Sequence, residues 1–419
     1  MERSDLISDI QAYLTENLPQ NLDLLRQMVS INSFTSNPVG VNSLGLLTAE
    51  TFSTLGFEAE FIQAADFTYG KHLVLTRPGR PVNGHGSPKV GLISHLDTVY
   101  PPAEELDNDF QWRVSGKRIY GPGVYDIKGG TVMIYMMLAA LRARAPAFFD
   151  SVSWVLLLNA AEEALVPDFG RLCLERLGDD TLASLVFEGG EAAHTGPGEF
   201  PLVVARKGMA RYHIRVEGKA AHAGTAHDHG ANAIMQLADV IKRLSALTDY
   251  EQNVTVNVGT VAGGTVINRV PHQASASVEM RAYSPQVFAL TTNQVTALRE
   301  FSSVHSANGG YPCRVHVDVL GEWEPWANND KSNDLLKIWQ VSGRELGYQV
   351  RPQERGGLSD GNWTWYSVPT IDGLGPDGGN AHCSERSEDG SKDQEYVLPD
   401  SYVPKAVLNV LSIMSLVGW

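Results

Sequence analysis

Four strand-like runs in this chain end on side chains of the kind that hold metals, and that repeated ending constrains the fold more than any other feature. Val155-Leu156-Leu157-Leu158 leads into Glu162-Glu163, and three further runs close as Ser94-His95-Leu96-Asp97, Gly121-Pro-Gly-Val-Tyr-Asp126 and Val186-Phe187-Glu188. One acidic pair on a loop is ordinary. Four polar endings at or just beyond strand ends imply a shared site at one edge of a parallel sheet, where open α/β folds place their chemistry.

The pattern between those endings agrees. Apolar positions at helical spacing (Leu6, Ile7, Ile10, Leu14, then Leu22, Leu25, Met28, Val29) predict helix over the first 30 residues, and a second helix is expected over 43–55. Strands are expected at 58–62, 72–76, 90–94, 152–159 and 182–187, with helices at 129–142 and 169–177. Such alternation predicts a mainly parallel sheet flanked by helices. Near Ala205 the rhythm changes to β-α-β-β-α-β, the split ferredoxin-like arrangement. Its strands are expected at 212–217, 254–261, 274–282 and 314–320, and its helices at 232–247 and 285–301. Sheet-domain patterns resume after Pro325, with helix at 332–346, strand at 370–374 and helix at 404–416. The expected architecture is α/β: a discontinuous catalytic domain of residues 1–204 and 321–419, interrupted by a smaller α+β domain of residues 205–320. A chain of 419 residues exceeds what one core supports.

Composition excludes several classes. A formal charge of −15 without a Lys/Arg cluster argues against nucleic acid. No segment approaches the ~18 apolar residues of a membrane span, so no membrane partner is expected. Cys173, Cys313 and Cys383 are odd in number and far apart, which implies no disulfide framework and a reducing compartment. With an amino terminus that lacks the apolar stretch of a signal peptide, a cytoplasmic location is expected. The sequons at Asn253 and Asn362 are then chance matches, and Cys383 beside His382 reads as a bystander thiol.

Hydrolysing an amide near neutral pH needs a strong nucleophile and a holder for the developing oxyanion. Two divalent metals about 3.5–4 Å apart supply both, lowering the pKa of water from 15.7 to about 7. The chain offers suitable ligands in His95, Asp126, Glu163, Glu188 and His382. Asp97 is placed to orient His95. In extended chain, neighbours face opposite sides, so one of Glu162-Glu163 can ligate while the other acts as general base. The Gly-Gly after Lys128 lets a helix start close to Asp126, whose carboxylate its N–H groups can steady. Taken singly, each residue also fits a loop pair, a helix cap or a solvated acid. Their joint occurrence carries the reading.

At these residues the chain resembles the co-catalytic zinc metallopeptidases that include glutamate carboxypeptidase, acetylornithine deacetylase, succinyl-diaminopimelate desuccinylase and the aminoacylases. The matching stretches are Ser94-His95-Leu96-Asp97-Thr98-Val99, the Gly121–Gly130 run, Ala161-Glu162-Glu163, Phe187-Glu188, Gly218-Lys-Ala-Ala-His222-Ala-Gly and Gly378-Gly-Asn-Ala-His382. The resemblance implies that His95, Asp126 and Glu188 bind one zinc and His382, Asp126 and Glu163 the other, with Co2+ or Mn2+ as alternatives. It implies Glu162 as general base then acid, Asp97 as the orienting carboxylate, and the insert as a lid and dimerisation domain. His222 is similar to the histidine that reaches the substrate carbonyl or carboxylate, often in the partner subunit's site. Asn268 and Arg281 resemble lid residues that hold a substrate α-carboxylate, with Arg269 as a substitute, and the 355–360 stretch around Gly357 resembles a loop bordering the substrate. Glu188 at its position leans toward carboxypeptidases and deacylases. One departure stands out: twelve residues, 383–394, separate His382 from Glu395-Tyr-Val, where the family has only a few.

The expected protein is therefore a homodimeric dinuclear zinc hydrolase. Its substrate would be a small N-acyl amino acid or short peptide with a free carboxylate. The rival readings are a dipeptidase or aminopeptidase of the same family, or a non-catalytic protein that binds metal or conjugates.

Overall fold

In the computed structural model, which describes residues 3–81, 86–191 and 198–419, the apolar runs form a six-stranded sheet. Its order is Glu58–Gln63, Lys71–Arg77, Ser153–Asn159, Lys89–His95, Thr181–Val186, Thr370–Ile371. The first two strands pair antiparallel, and Lys71–Arg77 is antiparallel to Ser153–Asn159. The remaining pairings are parallel. Residues of the central strands are buried whichever way they point, as a sheet covered on both faces requires. The two-residue period sorts them. Leu73, Leu75, Leu92, Leu156 and Leu158 join the core shared with helices Arg3–Val29, Lys128–Arg144 and Tyr402–Val417. Val74, Ile93, Val155 and Leu157 join Phe169, Leu172, Cys173 and Leu177 of helix Asp168–Leu177.

Parallel register decides where the chemistry lies. His95 pairs with Asn159, and Ile93 with Val186. Three strands therefore finish together, and Asp97, Glu162-Glu163 and Glu188 follow at the same edge.

Chain contacts divide the molecule into two units, one of Met1–Val204, Asn328–Glu354 and Ser359–Trp419, the other of Ala205–Ala327 with Arg355–Leu358. The second unit thus runs past the expected limit at 320 and takes in the Gly357 loop. Within it, four antiparallel strands lie in the order Thr255–Gly263, Gln273–Ala282, Gly208–Glu217, Arg314–Trp323. Helix Ala233–Ser245 starts on Asn232, whose side chain accepts from the Ile234 and Met235 N–H groups, and helix Pro285–Ala297 starts on Ser284. Alternate strand residues such as Tyr212, Ile214, Ala276 and Val278 close a separate core with these helices.

The structure adds strands that the sequence pattern did not signal. Arg113–Ser115 and Arg118–Tyr120 form a hairpin around Gly116, whose φ of 59° suits glycine. Tyr120 also pairs with Tyr396, which brings the end of the 383–394 segment back into the body. Strand Gln349–Arg355 carries an internal proline and several charges, which hid it.

Helix Lys128–Arg144 approaches the sheet edge through its two glycines. A Cβ on Gly130 would stand 2.0 Å from the carbonyl oxygen of Phe187, and one on Gly129 2.2 Å from that of Val124. Gly130→Ala should therefore lower stability by about 1–3 kcal/mol. An unchanged midpoint of urea unfolding would contradict this close approach.

Candidate metal centre

The site is built from segments that leave the sheet edge with little freedom. After Asn159 the chain turns at once, and four consecutive N–H groups are each taken by a side chain. Ala160 donates to His72 Nδ1 (3.1 Å) and Ala161 to Asn159 Oδ1 (3.0 Å). Glu162 and Glu163 donate to Asp97 Oδ1 and Oδ2 (3.0 and 3.2 Å). Asp97 Oδ2 also accepts the Thr35 hydroxyl at 2.7 Å. Glu162-Glu163 was expected in extended chain; instead it opens a tight turn closed by Leu165 N–H to Glu162 O at 2.8 Å.

Asp97 orients His95 differently from the expectation as well. The His95 Nδ1 lies 3.0 Å from the Asp97 carbonyl oxygen and 3.4 Å from its carboxylate, which is occupied by the loop amides. With Nδ1 engaged, His95 turns Nε2 toward Asp126 Oδ1 (3.0 Å) and Glu188 Oε1 (3.7 Å). On the other side, His382 Nε2 stands 3.3 Å from Asp126 Oδ2 and 3.3 Å from Glu163 Oε2. Ligand atoms of His95, Asp126 and Glu163 all lie within 4.8 Å of one another. All five candidate ligands thus converge, and Asp126 presents one oxygen to each imidazole.

The Asp126 backbone is fixed by a residue that sequence reasoning did not assign to the site. Glu395 Oε1 accepts the N–H groups of Tyr125 (2.8 Å) and Asp126 (3.1 Å), while its Oε2 accepts the Tyr100 hydroxyl (2.6 Å). At the start of the helix that follows, the Lys128 N–H donates to Gly123 O at 2.8 Å. Asp360 is a second missed residue. It is buried and accepts from Asn159 Nδ2 at 2.9 Å, and only its place in the 355–360 stretch hinted at it.

Crowded carboxylates dominate the electrostatics. Burial pushes the Asp126 carboxyl up, but the bonds from His382 and His95 outweigh it and hold the group well below the usual range. Those bonds act in reverse on the imidazoles. Asp126 and Glu163 push His382 up to about 11. His95 is raised well above its ordinary value: burial lowers it, and Asp126 and Asp97 more than compensate. Burial raises Glu162 well above the carboxylate range, with Glu163, Asp360 and Glu188 adding to it. Burial and Asp126 take Glu395 to about 7. Several acids around two imidazoles make a site that attracts cations.

The donor set fits divalent metal. Nitrogen and oxygen ligands about 2.1 Å from one tetrahedral ion stand about 3.4 Å apart, and the pairs His95–Asp126, His95–Glu188, His382–Asp126 and His382–Glu163 span 3.0–3.7 Å.

The remaining candidate residues belong to the second unit. His222 Nδ1 accepts the N–H groups of Gly224 and Thr225, both at 3.1 Å, which leaves Nε2 as its donor on an exposed ring. The Ala223 N–H donates to Asn268 O at 3.0 Å, and His222 bridges to Arg269, so these residues are neighbours. Arg281 donates Nε to Glu279 (2.6 Å) and a terminal nitrogen to Gly356 O (2.9 Å), beside Gly357. Its fork is partly committed within the unit.

Comparison with known proteins follows this geometry. Residues 204–301 match the peptidase dimerisation domain. Carboxypeptidase G2 of Pseudomonas is 28% identical over 271 residues, which cover 64% of this chain and 61% of that enzyme. Aminopeptidase PepT of Bacillus cereus superposes with a TM-score of 0.72 at 20% identity, covering 96% of this chain and 99% of its own. The M20 metallo-carboxypeptidase Sso-CP2 of Sulfolobus solfataricus does so at 0.68 and 16%, covering 95% and 99%. The chain is thus similar to M20 metallopeptidases in fold and to the peptidase dimerisation domain over residues 204–301, and its curated relatives include a carboxypeptidase, in line with the family that its motifs resemble.

Proposed function

We propose that the protein is a dinuclear zinc hydrolase of amide bonds, an exopeptidase or deacylase acting on a small N-acyl amino acid or short peptide with a free carboxylate. The observation that carries this reading is Asp126, which presents Oδ1 to His95 and Oδ2 to His382, while Glu188 stands beside the first imidazole and Glu163 beside the second. Carboxypeptidase G2 among the relatives supports the direction of attack. Bound dications would supply Lewis acidity, to the nucleophilic water and to the scissile carbonyl. Glu162 is the spare acid beside the ligands, and its raised affinity for a proton suits a group that takes one from water and returns it to the leaving nitrogen. Asp97 holds both loop carboxylates by their amides. His222, through Nε2, would donate to the developing oxyanion, and Asn268, Arg281 and the Gly357 loop would receive the substrate carboxylate.

The dimerisation domain over residues 204–301 supports a homodimer formed through the lid. Cys173, Cys313 and Cys383 are all free thiols, which supports a cytoplasmic location. Among the described residues no helix is long and apolar enough to cross a membrane. The likeness to aminopeptidase PepT favours a second reading in which a free amino group is read instead. N-acylated substrates separate the two, because an aminopeptidase rejects them.

Glu162→Gln should leave the content of bound metal unchanged while turnover falls about 10²–10⁴-fold. Activity within tenfold of the parent would remove Glu162 from its role. Because both imidazoles bind protons tightly until a metal competes, zinc uptake at neutral pH should release protons. The sign is fixed: lowering the pH strengthens the competitor, so affinity falls about tenfold per pH unit for each proton expelled. Calorimetry in buffers of different ionisation enthalpy measures the release, and buffer-independent heats would contradict it. Arg281→Ala should reduce kcat/KM for free-carboxylate substrates about 10–150-fold, equivalent to about 1.5–3 kcal/mol. Amidated analogues should barely change, and equal losses on both would remove Arg281 as the anchor.

A further inference from the structure

The segment 383–394 is unexplained by the chemistry so far, yet it begins at a metal-ligand candidate. The two imidazoles differ sharply in support: the His95 side chain is 1% exposed and that of His382 54%. Packing alone therefore does not fix His382. Its backbone is also held in an unfavourable region, with φ of 64° at His382 and 60° at Asn380.

What holds this stretch is the far end of the same segment. Asn380 Nδ2 donates to Asp393 O at 3.0 Å, and the Glu395 N–H donates to Cys383 O at 2.8 Å. Between them stands Gln394, whose side chain has no exposed surface. Its Nε2 donates to Ser384 O at 2.9 Å and to Asn108 O at 3.0 Å, and its Oε1 accepts from Arg113 at 3.2 Å. Ser384 is itself buried and accepts from Asn108 Nδ2 at 2.7 Å. The next residue is Glu395, which holds the Asp126 amide. Two adjacent residues thus grip the two sides of the site, Gln394 the chain leaving His382 and Glu395 the chain entering Asp126. The tip is a different matter. Ser387, Asp389, Ser391 and Lys392 bond among themselves or to Glu385 and are largely exposed.

We propose that the base of the 383–394 segment is a clasp, centred on Gln394 as a positioning residue, that fixes His382 relative to Asp126 and so sets the divalent-metal affinity of the half-site formed by His382, Asp126 and Glu163. The proposal rests on the dinuclear reading. A buried amide that satisfies three partners resists displacement, because moving it leaves its donors and acceptor unpaired. Partners behind metal ligands govern affinity in this manner, and their loss weakens binding about 10–100-fold.

The test is titration of metal-stripped, full-length protein with Zn2+ by calorimetry and with Co2+ by visible absorbance. The parent should take up two ions. Gln394→Ala should weaken one of the two about 10–100-fold and leave the other unchanged, and on a His382→Ala background it should add no further loss. Asn380→Gly removes the bond to Asp393 while suiting the backbone angle, and should weaken the same ion even if Gln394→Ala fails to fold. Asp389→Ala, in the tip, should change neither. The clasp is overturned if Gln394→Ala or Asn380→Gly binds both ions as the parent does. Equal weakening of both ions, or an equal effect from Asp389→Ala, overturns it too. A parent that binds fewer than two ions would instead sink the dinuclear reading.

Discussion

Asp126 shared between two imidazoles is the interaction on which the rest of this structure depends. A carboxylate that offers an oxygen to each side must be held in both position and rotation, and its own segment, rich in glycine, supplies little rigidity. The surrounding fold supplies it. Glu395 takes the Asp126 amide, and the Tyr100 hydroxyl in turn holds Glu395. Helix Lys128–Arg144 closes in behind through glycines that admit the carbonyls of Val124 and Phe187. These supports come from distant parts of the chain, which is why the site needs the completed sheet.

A cluster of buried acids would ordinarily be costly to assemble, since charged groups out of water need compensation. Here the compensation is mostly backbone N–H groups and two protonatable rings. Burial and the neighbouring acids raise the proton affinity of Glu162, and bonds to Asp126 and Glu163 raise that of His382. In the proposed function a pair of dications would substitute for those protons with a stronger field, and the crowded acids suit such a cofactor.

Much of this was legible in the sequence, for identifiable reasons. Runs such as 153–159 and 89–95 are apolar on both faces, which only a covered parallel strand demands, and each ends at a residue that the register then aligns. The second unit was legible because its strands alternate and its helices start on Asn232 and Ser284. The hairpin at 113–120 and strand 349–355 were missed because charges and a proline interrupt their patterns. Glu395 and Asp360 escaped assignment because a buried acid has the same letter as a solvated one; only tertiary partners distinguish them. The roles of Asp97 and Glu162-Glu163 turned on backbone geometry. A carboxylate that collects loop amides cannot be told in advance from one that faces a ring.

The run of amides from Ala160 to Glu163, each engaged by a side chain, carries a further consequence. Moving this turn would leave four amide donors unpaired, so it resists a change of shape. Substrates of different size must then be accommodated by segments outside it, and variation among related enzymes should collect there while this turn stays invariant in form. On the proposed function, reactivity and selectivity would then lie in separate stretches of polypeptide, free to change at different rates.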